Sequence, residues 1–531
     1  MGVLFIEYKK ELLVISKCEY MKKKNIIEYV AVFALLLLLC LYVNKDIVIK
    51  ALYMDDLFHW TWFRGLNIFE FAFKFYGVSR YRPVFDAIQY IFYTIVDTDP
   101  FRLSLINKVY NTVVAIFVYH FIKRLDVGRI VALLFSFLYL IAHFAYYQIG
   151  QGIGSLETDA QFFALIILFY SLKLSGAIVR KDELGNEILA SEKDNIRNTV
   201  VLFIMFFIVS FTHERFMGTA VPIVIAILLS RNGEKTRPIK LKIISLITFF
   251  FEIVLILFIR LLAIGKIVPA GTGGTYVEDT FNIFECIRYC FYQVADIFGV
   301  NVGPDYLYGI DFVSLPGRMI KMLLVVSILM IAVTIIVYII CRLKYKCKKN
   351  ALASDLIFLS FIAMCIGSSS VTIRVEMRFI YVSFTASMIY LSYMCGFIRQ
   401  NAKLVSAKVL PIVLLLIVFF TRAPIEFKYR TYFDKIHCFV DLNRVNSIYD
   451  NTIGIFGVDD VLHNKKVYLI EKMYGMTEFY AEYFYKIYDK ENIGNKIILV
   501  NDVSEIPVDD IGSETIVLYE NYEQNNYSSL Y

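Results

Sequence analysis

The chain has 531 residues, of which 58% are apolar, 16% aromatic and 19% charged, and its formal net charge is +6. Repeated apolar runs, each about as long as a helix that crosses a bilayer, exclude a soluble globular protein. The Lys and Arg residues fall largely in short clusters between these runs. This pattern indicates membrane topology and no nucleic-acid partner. The nine cysteines are scattered without metal-type spacing.

The N-terminal segment, residues 1–25, leads into the first apolar run, residues 26–43. This run follows MKKKN and has no small-residue cleavage site, so it predicts a retained anchor after a cytoplasmic N-terminus. MKKKNIIEYV is also typical of a bacterial N-terminus, which makes Met21 a second candidate for the start of the chain.

Hydropathy predicts an all-α polytopic membrane protein, with a transmembrane domain over residues 26–421 and about eleven spans. The basic loops MKKK, IKRLD, RNGEKTRPIKLK, CRLKYKCKK and IRQNAK all fall on one side of the predicted spans, which the positive-inside tendency assigns to the cytoplasm. The predicted spans are residues 26–43, 103–122, 128–146, 159–174, 198–212, 216–229, 243–262, 319–341, 354–367, 379–397 and 409–421.

The first external loop, residues 44–102, is rich in aromatic residues. FRGLNIFEFAFKFYG (residues 63–77) and RPVFDAIQYIFYTIV (residues 82–96) predict two helices that lie in the membrane interface, the second with Pro83 in its first turn. The loop also carries more cations than the charge rule favours outside the cell, and these need a separate explanation.

The C-terminal region, residues 422–531, is polar. KKVYLIE and NKIILVND predict strands on either side of a helical stretch, TEFYAEYFYKIYDK, and together they indicate a small extracytoplasmic α/β domain. The last residues, YEQNNYSSLY, are expected to be frayed.

Four charged groups map to the outer ends of the predicted spans. Each group taken alone could have a purely structural role, as a solvated pair, a helix N-cap, a local ion pair or a headgroup anchor. Ionisable residues at membrane depth are costly, however, and their coincidence on one face indicates a functional site. The groups are Asp55 with Asp56, Glu157 with Asp159, His213 with Glu214 and Arg215, and Arg374 with Glu376 and Arg378.

An acidic centre ringed by arginines at a bilayer surface suits a substrate that is both lipidic and phosphorylated. The arginines would hold the phosphate through bidentate contacts, and the loop cations, Arg82 among them, would acquire a role near it. A carboxylate would take the proton of an attacking hydroxyl. A second acidic pair would hold a divalent cation such as Mg²⁺ or Mn²⁺, or bind sugar hydroxyls without a metal.

In layout and short motifs the chain resembles the GT-C-type polytopic glycosyltransferases, which use polyprenyl-phosphate-linked sugars at the outer membrane face. The resemblance rests on MDD at the start of a long first external loop, the following YRPVFDAIQYIFYTIVDTDPFRLSLINKVYNTVVAIFVY, ETD between the third and fourth spans, and RVEMRF late in the chain. It covers about residues 26–400 and leaves out the C-terminal region.

The resemblance implies that Asp55 or Asp56 is the catalytic base and that Glu157 and Asp159 serve a metal or the substrate. ETD departs from the D-x-D-like element of the family, which leaves metal dependence open. The implied reaction moves a sugar from a polyprenyl-phosphate donor to an envelope glycan or lipid acceptor at a bacterial cytoplasmic membrane.

Three other readings remain. A polymerase of lipid-linked oligosaccharides shares the chemistry and differs in using a diphosphate donor. A flippase or transporter of envelope polysaccharide is less consistent with the pattern, because the charges cluster at one face and no internal repeat is visible. A non-enzymatic assembly protein would follow if the acidic pairs were dispensable.

Overall fold

The structure is a computed structural model that describes residues 25–73, 80–178, 180–181, 187–188, 190–233, 235–265, 267, 282–301, 317–344, 349–371, 376–473, 475–489 and 495–530. Most of the described chain is helical. In chain order the helices are α1 (Asn25–Val43), α2 (Asp55–Phe63), α3 (Ile68–Ala72), α4 (Pro83–Val96), α5 (Phe101–Lys123), α6 (Arg129–Ile141), α7 (Tyr146–Gly150), α8 (Ser155–Leu174), α9 (Glu192–Thr212), α10 (Ala220–Leu228), α11 (Ile239–Ile264), α12 (Ile283–Ile297), α13 (Arg318–Lys344), α14 (Lys349–Ser370), α15 (Met377–Asn401), α16 (Val405–Arg430), α17 (His437–Asn451), α18 (Ile453–Phe456), α19 (Val458–His463) and α20 (Glu478–Tyr483).

Within the described ranges, the strands lie in three sheets. Two of these are small antiparallel hairpins, and the third is a four-stranded sheet near the C-terminus. The strands are β1 (Arg180–Lys181), β2 (Glu187–Ile188), β3 (Arg231–Asn232), β4 (Lys235–Thr236), β5 (Lys466–Ile470), β6 (Ile497–Val500), β7 (Thr515–Asn521) and β8 (Asn526–Ser529).

Among the described residues, nine helices are long and apolar enough to cross a membrane: α1, α5, α8, α9, α11, α13, α14, α15 and α16. A tenth candidate is formed by α6 and the helical segment His143–Gly150, which are bent by 49° at Ala142. The count falls below the predicted eleven because residues 216–229 do not form one long helix. They form most of a 3-10 helix, Glu214–Thr219, followed by the nine-residue α10.

The spans differ in how deeply they are buried. α8 and α15 are the most enclosed by other parts of the chain, whereas α1, α11 and α13 expose most of their apolar surface. Buried apolar side chains of α5, α6, α8 and α15 lie in one large core cluster. Residues at the N-termini of α8 and α15 therefore lie at one end of the most enclosed part of the bundle.

The described part of the first loop contains three short helices, α2, α3 and α4. α4 confirms the predicted second helix and has Pro83 at its first position. The predicted helix over residues 63–77 is wrong in extent, since Phe63 is the last residue of α2, residues 64–67 are not helical and α3 covers only Ile68–Ala72. Residues 74–77 of that prediction lie outside the described part. α3 begins with a capping box, in which Asn67 accepts from the amides of Phe69 and Glu70 while Glu70 accepts from the Asn67 amide.

The C-terminal sheet has the strand order β6-β5-β7-β8, with β5 parallel to both β6 and β7 and β8 antiparallel to β7. The two predicted strands are confirmed as β5 and β6. The predicted fraying of the last residues is wrong, because Asn526–Ser529 pairs with β7 and the buried Tyr527 hydroxyl donates to the Glu471 carbonyl. Apolar residues of these strands and of α17, α19 and α20 form a second core.

The C-terminal domain is docked on the first loop. The Lys50 ammonium group lies 2.7 Å from a carboxylate oxygen of Asp450, and the Tyr488 hydroxyl donates to the Lys50 carbonyl. Arg64 donates to the carbonyl of Lys486 at 2.8 Å and to that of Asp489 at 3.1 Å. Lys50 and Arg64, two of the cations that needed an explanation in this loop, thus contact the C-terminal domain.

Candidate functional site

The Asp56 carboxylate is held by backbone amides from a distant loop. It accepts from the Gly152 amide at 2.8 Å and from the Ile153 amide at 2.6 Å, and the residue is only 6% exposed. Burial raises the pKa of Asp56 to about 7, although the two amide hydrogen bonds act in the opposite direction. Asp56 therefore ties the start of α2 to the loop that leads into α8.

Glycine is required at position 152 for this contact. A Cβ there would lie 2.4 Å from Leu103 Cδ2 and 3.1 Å from Asp56 Oδ1. A side chain at 152 would therefore push either α5 or the Asp56 carboxylate out of place.

The residue before α2 is strained. Met54 has a φ of 47°, in the left-handed region that non-glycine residues rarely adopt. The C-terminal domain packs on this point: the Tyr53 and Tyr480 rings are 6.2 Å apart, and a Cβ on Gly475 would meet the Tyr53 hydroxyl at 2.7 Å. Such strain persists only where the surroundings enforce it, and it is common at functional sites.

Asp55 differs from its neighbour because it is exposed. It lies one helical turn before His59 on α2, and its charge acts on His59, Arg80 and Tyr147. Burial lowers the pKa of His59 to about 4, so the imidazole is neutral at neutral pH. Of the acidic pair, Asp56 is anchored and Asp55 is accessible.

Glu157, in the first turn of α8, is bound by residues 213–215 (His213, Glu214 and Arg215), called here the HER segment. Arg215 Nη2 donates to Glu157 Oε2 at 2.5 Å, and His213 Nε2 lies 3.6 Å from Glu157 Oε1. The Arg215 guanidinium also stacks 4.0 Å from the Phe379 ring of α15. Glu157 is 3% exposed, so this is a buried ion pair that joins three segments.

Glu214 faces the first loop instead. Arg82 holds it in a bidentate pair, with Nε at 2.9 Å from Oε2 and Nη2 at 2.8 Å from Oε1. Burial favours a raised pKa for Glu214, but Arg82 and His213 outweigh it and hold the pKa well below its usual range. Consecutive residues of the HER segment thus bind α8 on one side and the first loop on the other.

A third ion pair stands at the N-terminus of α15. Arg378 Nε lies 2.6 Å from Glu376 Oε2, and the guanidinium stacks 3.8 Å from the Tyr147 ring. The charge of Arg378 also acts on Glu157. Arg374, the other arginine predicted for this segment, lies outside the described residues.

Tyr147 and Arg80 connect the pairs to the acidic residues of α2. The Tyr147 ring stacks against Arg378, and the charges of Asp55 and Asp56 act on its hydroxyl group. Arg80 interacts electrostatically with Asp55, Arg82 and Glu214. The predicted groups from α2, α8, the HER segment and α15 therefore meet at one end of the bundle.

Asp159 is separate from Glu157. It is fully buried two residues further along α8, which places it on another face of the helix. One of its oxygens accepts from the Tyr110 hydroxyl, whereas Glu157 is engaged by Arg215 and His213. Within the described ranges no group of three His, Cys, Asp or Glu residues could hold a metal ion. This donor set does not fit one shared cation.

Arg260 on α11 belongs to this region although the sequence pattern did not predict it as a site residue. Its side chain is completely buried, and the charges of Glu214 and Arg82 act on it. A lone arginine within a 26-residue apolar helix is itself a signal of function. The signal was overlooked because LFIRLLAIG reads as an unbroken span.

A second buried cluster was also missed. The Glu426 carboxylate accepts from the backbone amide of His143 at 3.0 Å and lies 2.6 Å from both His143 Nδ1 and Arg422 Nε. These residues join the break after α6 to α16, and the cluster holds the bundle together at the bend.

No protein-family model matches the chain, and no curated protein has significant similarity to it.

Proposed function

We propose that the chain is a bacterial membrane glycosyltransferase. It moves a sugar from a polyprenyl-phosphate donor to an envelope glycan or lipid acceptor on the outer face of the cytoplasmic membrane, with the N-terminus in the cytoplasm and the C-terminal domain outside. The observation that carries the proposal is the meeting of an acidic pair with three glutamate–arginine pairs at one end of the spans.

The division of labour between the two aspartates follows from their access to substrate. Asp55 is exposed and takes the proton of the acceptor hydroxyl, while Asp56, whose oxygens are occupied by backbone amides, positions α2. The acceptor oxygen forms a bond to the anomeric carbon as the bond from that carbon to the phosphate oxygen breaks. Polyprenyl phosphate leaves with the electron pair of the broken bond.

The arginines are pre-oriented for an anion. Each pairs with a glutamate through part of its guanidinium group, which fixes the plane of the group, and Arg215 Nη1 is a buried donor with no partner in the described chain. Such fixed donors bind a phosphate without the entropic cost of ordering long side chains. No step of this mechanism uses a metal ion.

The proposal is tested with the full chain in nanodiscs and a panel of radiolabelled donors. The panel holds hexoses and pentoses on polyprenyl monophosphate, together with a lipid diphosphate oligosaccharide, and envelope extract supplies the acceptor. We expect transfer from at least one monophosphate donor, with release of polyprenyl phosphate. Transfer from the diphosphate donor alone would favour the polymerase, and movement of lipid-linked glycan across the bilayer without bond cleavage would favour the flippase.

A further inference from the structure

The Arg260 guanidinium has no hydrogen-bond partner among the described residues. The side chain is 0% exposed, and its Nε, Nη1 and Nη2 atoms are all buried without an acceptor. A guanidinium group has five N–H donors, so many hydrogen bonds are left unmade by a charged side chain within a membrane span. Leaving a buried charge without a hydrogen-bonding partner is costly, and the site is therefore built for something that supplies acceptors.

The carboxylate whose charge acts on Arg260 does not meet this demand. Glu214 acts on Arg260 electrostatically, but its two oxygens are already taken by Arg82 in the bidentate pair. Arg82 itself repels Arg260. A second cation beside an occupied ion pair attracts an additional anion.

The position of Arg260 on α11 indicates where the anion comes from. The buried face of this span holds Ser245, Phe249, Ile256 and Arg260, while Phe251 and Leu262 on other faces are 65% and 71% exposed. Such exposed apolar side chains on a membrane span face lipid. An anion that reaches Arg260 alongside this helix is best carried on a long apolar chain.

We propose that Arg260 binds the phosphate group of a lipid-linked substrate, beside the Arg82–Glu214 pair. This inference rests on the proposed function and deepens it. A sugar phosphodiester of a polyprenol carries one negative charge, which matches one unpaired guanidinium group, and its two non-bridging oxygens accept a bidentate contact.

The test measures binding, without sugar transfer. The full chain in nanodiscs is titrated with a radiolabelled polyprenyl monophosphate, with the corresponding polyprenol and with inorganic phosphate. The variants are Arg260→Gln and Arg260→Lys. Arg288→Gln is the control, because Arg288 is 52% exposed and pairs locally with Glu285 on α12.

We expect Arg260→Gln to weaken polyprenyl phosphate binding at least about tenfold, as for the loss of a charge-assisted hydrogen bond, and Arg260→Lys to retain part of the affinity. The apparent Tm of the lipid-free Gln variant should stay the same or rise, because a buried unpaired charge has been removed. The polyprenol should bind weakly to every variant.

An unchanged affinity in Arg260→Gln would overturn the proposal, and so would a fall of the lipid-free Tm by more than about 5 °C, which would show that Arg260 has a protein partner. Equal affinity for inorganic phosphate and the lipid would overturn the lipid source. If polyprenyl phosphate binding depends on Arg260 while no donor is turned over, the phosphate-binding role of Arg260 is supported and the transferase proposal fails.

Discussion

Arg215 and Glu157 are 58 positions apart in the chain, yet Arg215 Nη2 donates to Glu157 Oε2 at 2.5 Å inside the protein. This pair joins the turn after α9 to the first turn of α8. The charge of Glu157 also acts on the arginines of two further pairs, Arg82–Glu214 and Arg378–Glu376. Three ion pairs from distant segments thus interact with one another.

Removing one charge of the Arg215–Glu157 pair should strongly destabilise the folded protein. Glu157→Gln leaves Arg215 buried without its counter-charge, a loss of about 3–5 kcal/mol, whereas the double variant with Arg215→Gln removes both charges and should recover much of it. The measurement is the apparent Tm of the four proteins. The pair Glu285–Arg288 on α12, in which both side chains are about half exposed, is the control and should show coupling below about 1 kcal/mol. Additive losses for the buried pair would show that the two charges are not coupled.

Gly152→Ala should damage the site without removing any functional group. The new methyl group would displace the Leu103 side chain or the Asp56 carboxylate, so we expect donor turnover to fall at least about tenfold and the apparent Tm to drop. Gly367→Ala is the matched control, because a Cβ there meets nothing within 4 Å. Equal activity of the two variants would mean that the Gly152–Asp56 contact is unimportant.

Asp56 should make stability depend on pH. Its pKa in the folded chain is about 7, above the ordinary value of 3.8, so folding favours the protonated form. Its contribution is fully present below about pH 3.8 and is lost as the pH rises through 7. The apparent Tm of the native chain relative to Asp56→Asn should therefore fall between pH 5 and pH 8. A difference that is constant over this range would contradict the assignment.

Donor turnover should not need a divalent cation. Glu157 is neutralised by Arg215, and Asp159 faces Tyr110 on another side of α8, so the two residues predicted to bind a metal do not share a site. Treatment with EDTA should leave the rate unchanged, and added Mg²⁺ or Mn²⁺ should not raise it. A loss of activity with EDTA that Mg²⁺ restores would return these carboxylates, or residues outside the described ranges, to a metal-binding role.

Much of the fold could be predicted because hydropathy reports directly on long lipid-facing helices such as α11 and α13. The predicted span over residues 216–229 was wrong because an apolar run of 14 residues can equally be a short helix that does not cross the membrane, as α10 is. The strand β8, NYSS, was not predicted because it has no apolar alternation of its own, whereas β7, TIVLYEN, holds an apolar, β-branched run of the kind that predicts a strand. The strand β8 is stabilised by its hydrogen-bonded pairing with β7.

The charged groups of the site could be found as residues but not as pairs. Sequence position alone cannot tell that Glu214 binds Arg82 while its neighbour Arg215 binds Glu157, because this depends on the direction of each side chain in a 3-10 turn. The loop cations Lys50 and Arg64 were expected near phosphate, but their contacts are with the C-terminal domain. That interface is tertiary and leaves no local pattern.

The central claim is that Asp55 is the base of a sugar transfer. The most direct measurement is donor turnover by Asp55→Asn in nanodiscs, beside Asp99→Asn, which changes a half-exposed aspartate of the same loop whose carboxylate contacts Arg102 and the Phe101 amide. The account predicts a loss of about 10²- to 10⁴-fold for Asp55→Asn, with unchanged binding of polyprenyl phosphate and full activity of Asp99→Asn. Full turnover by Asp55→Asn would contradict it.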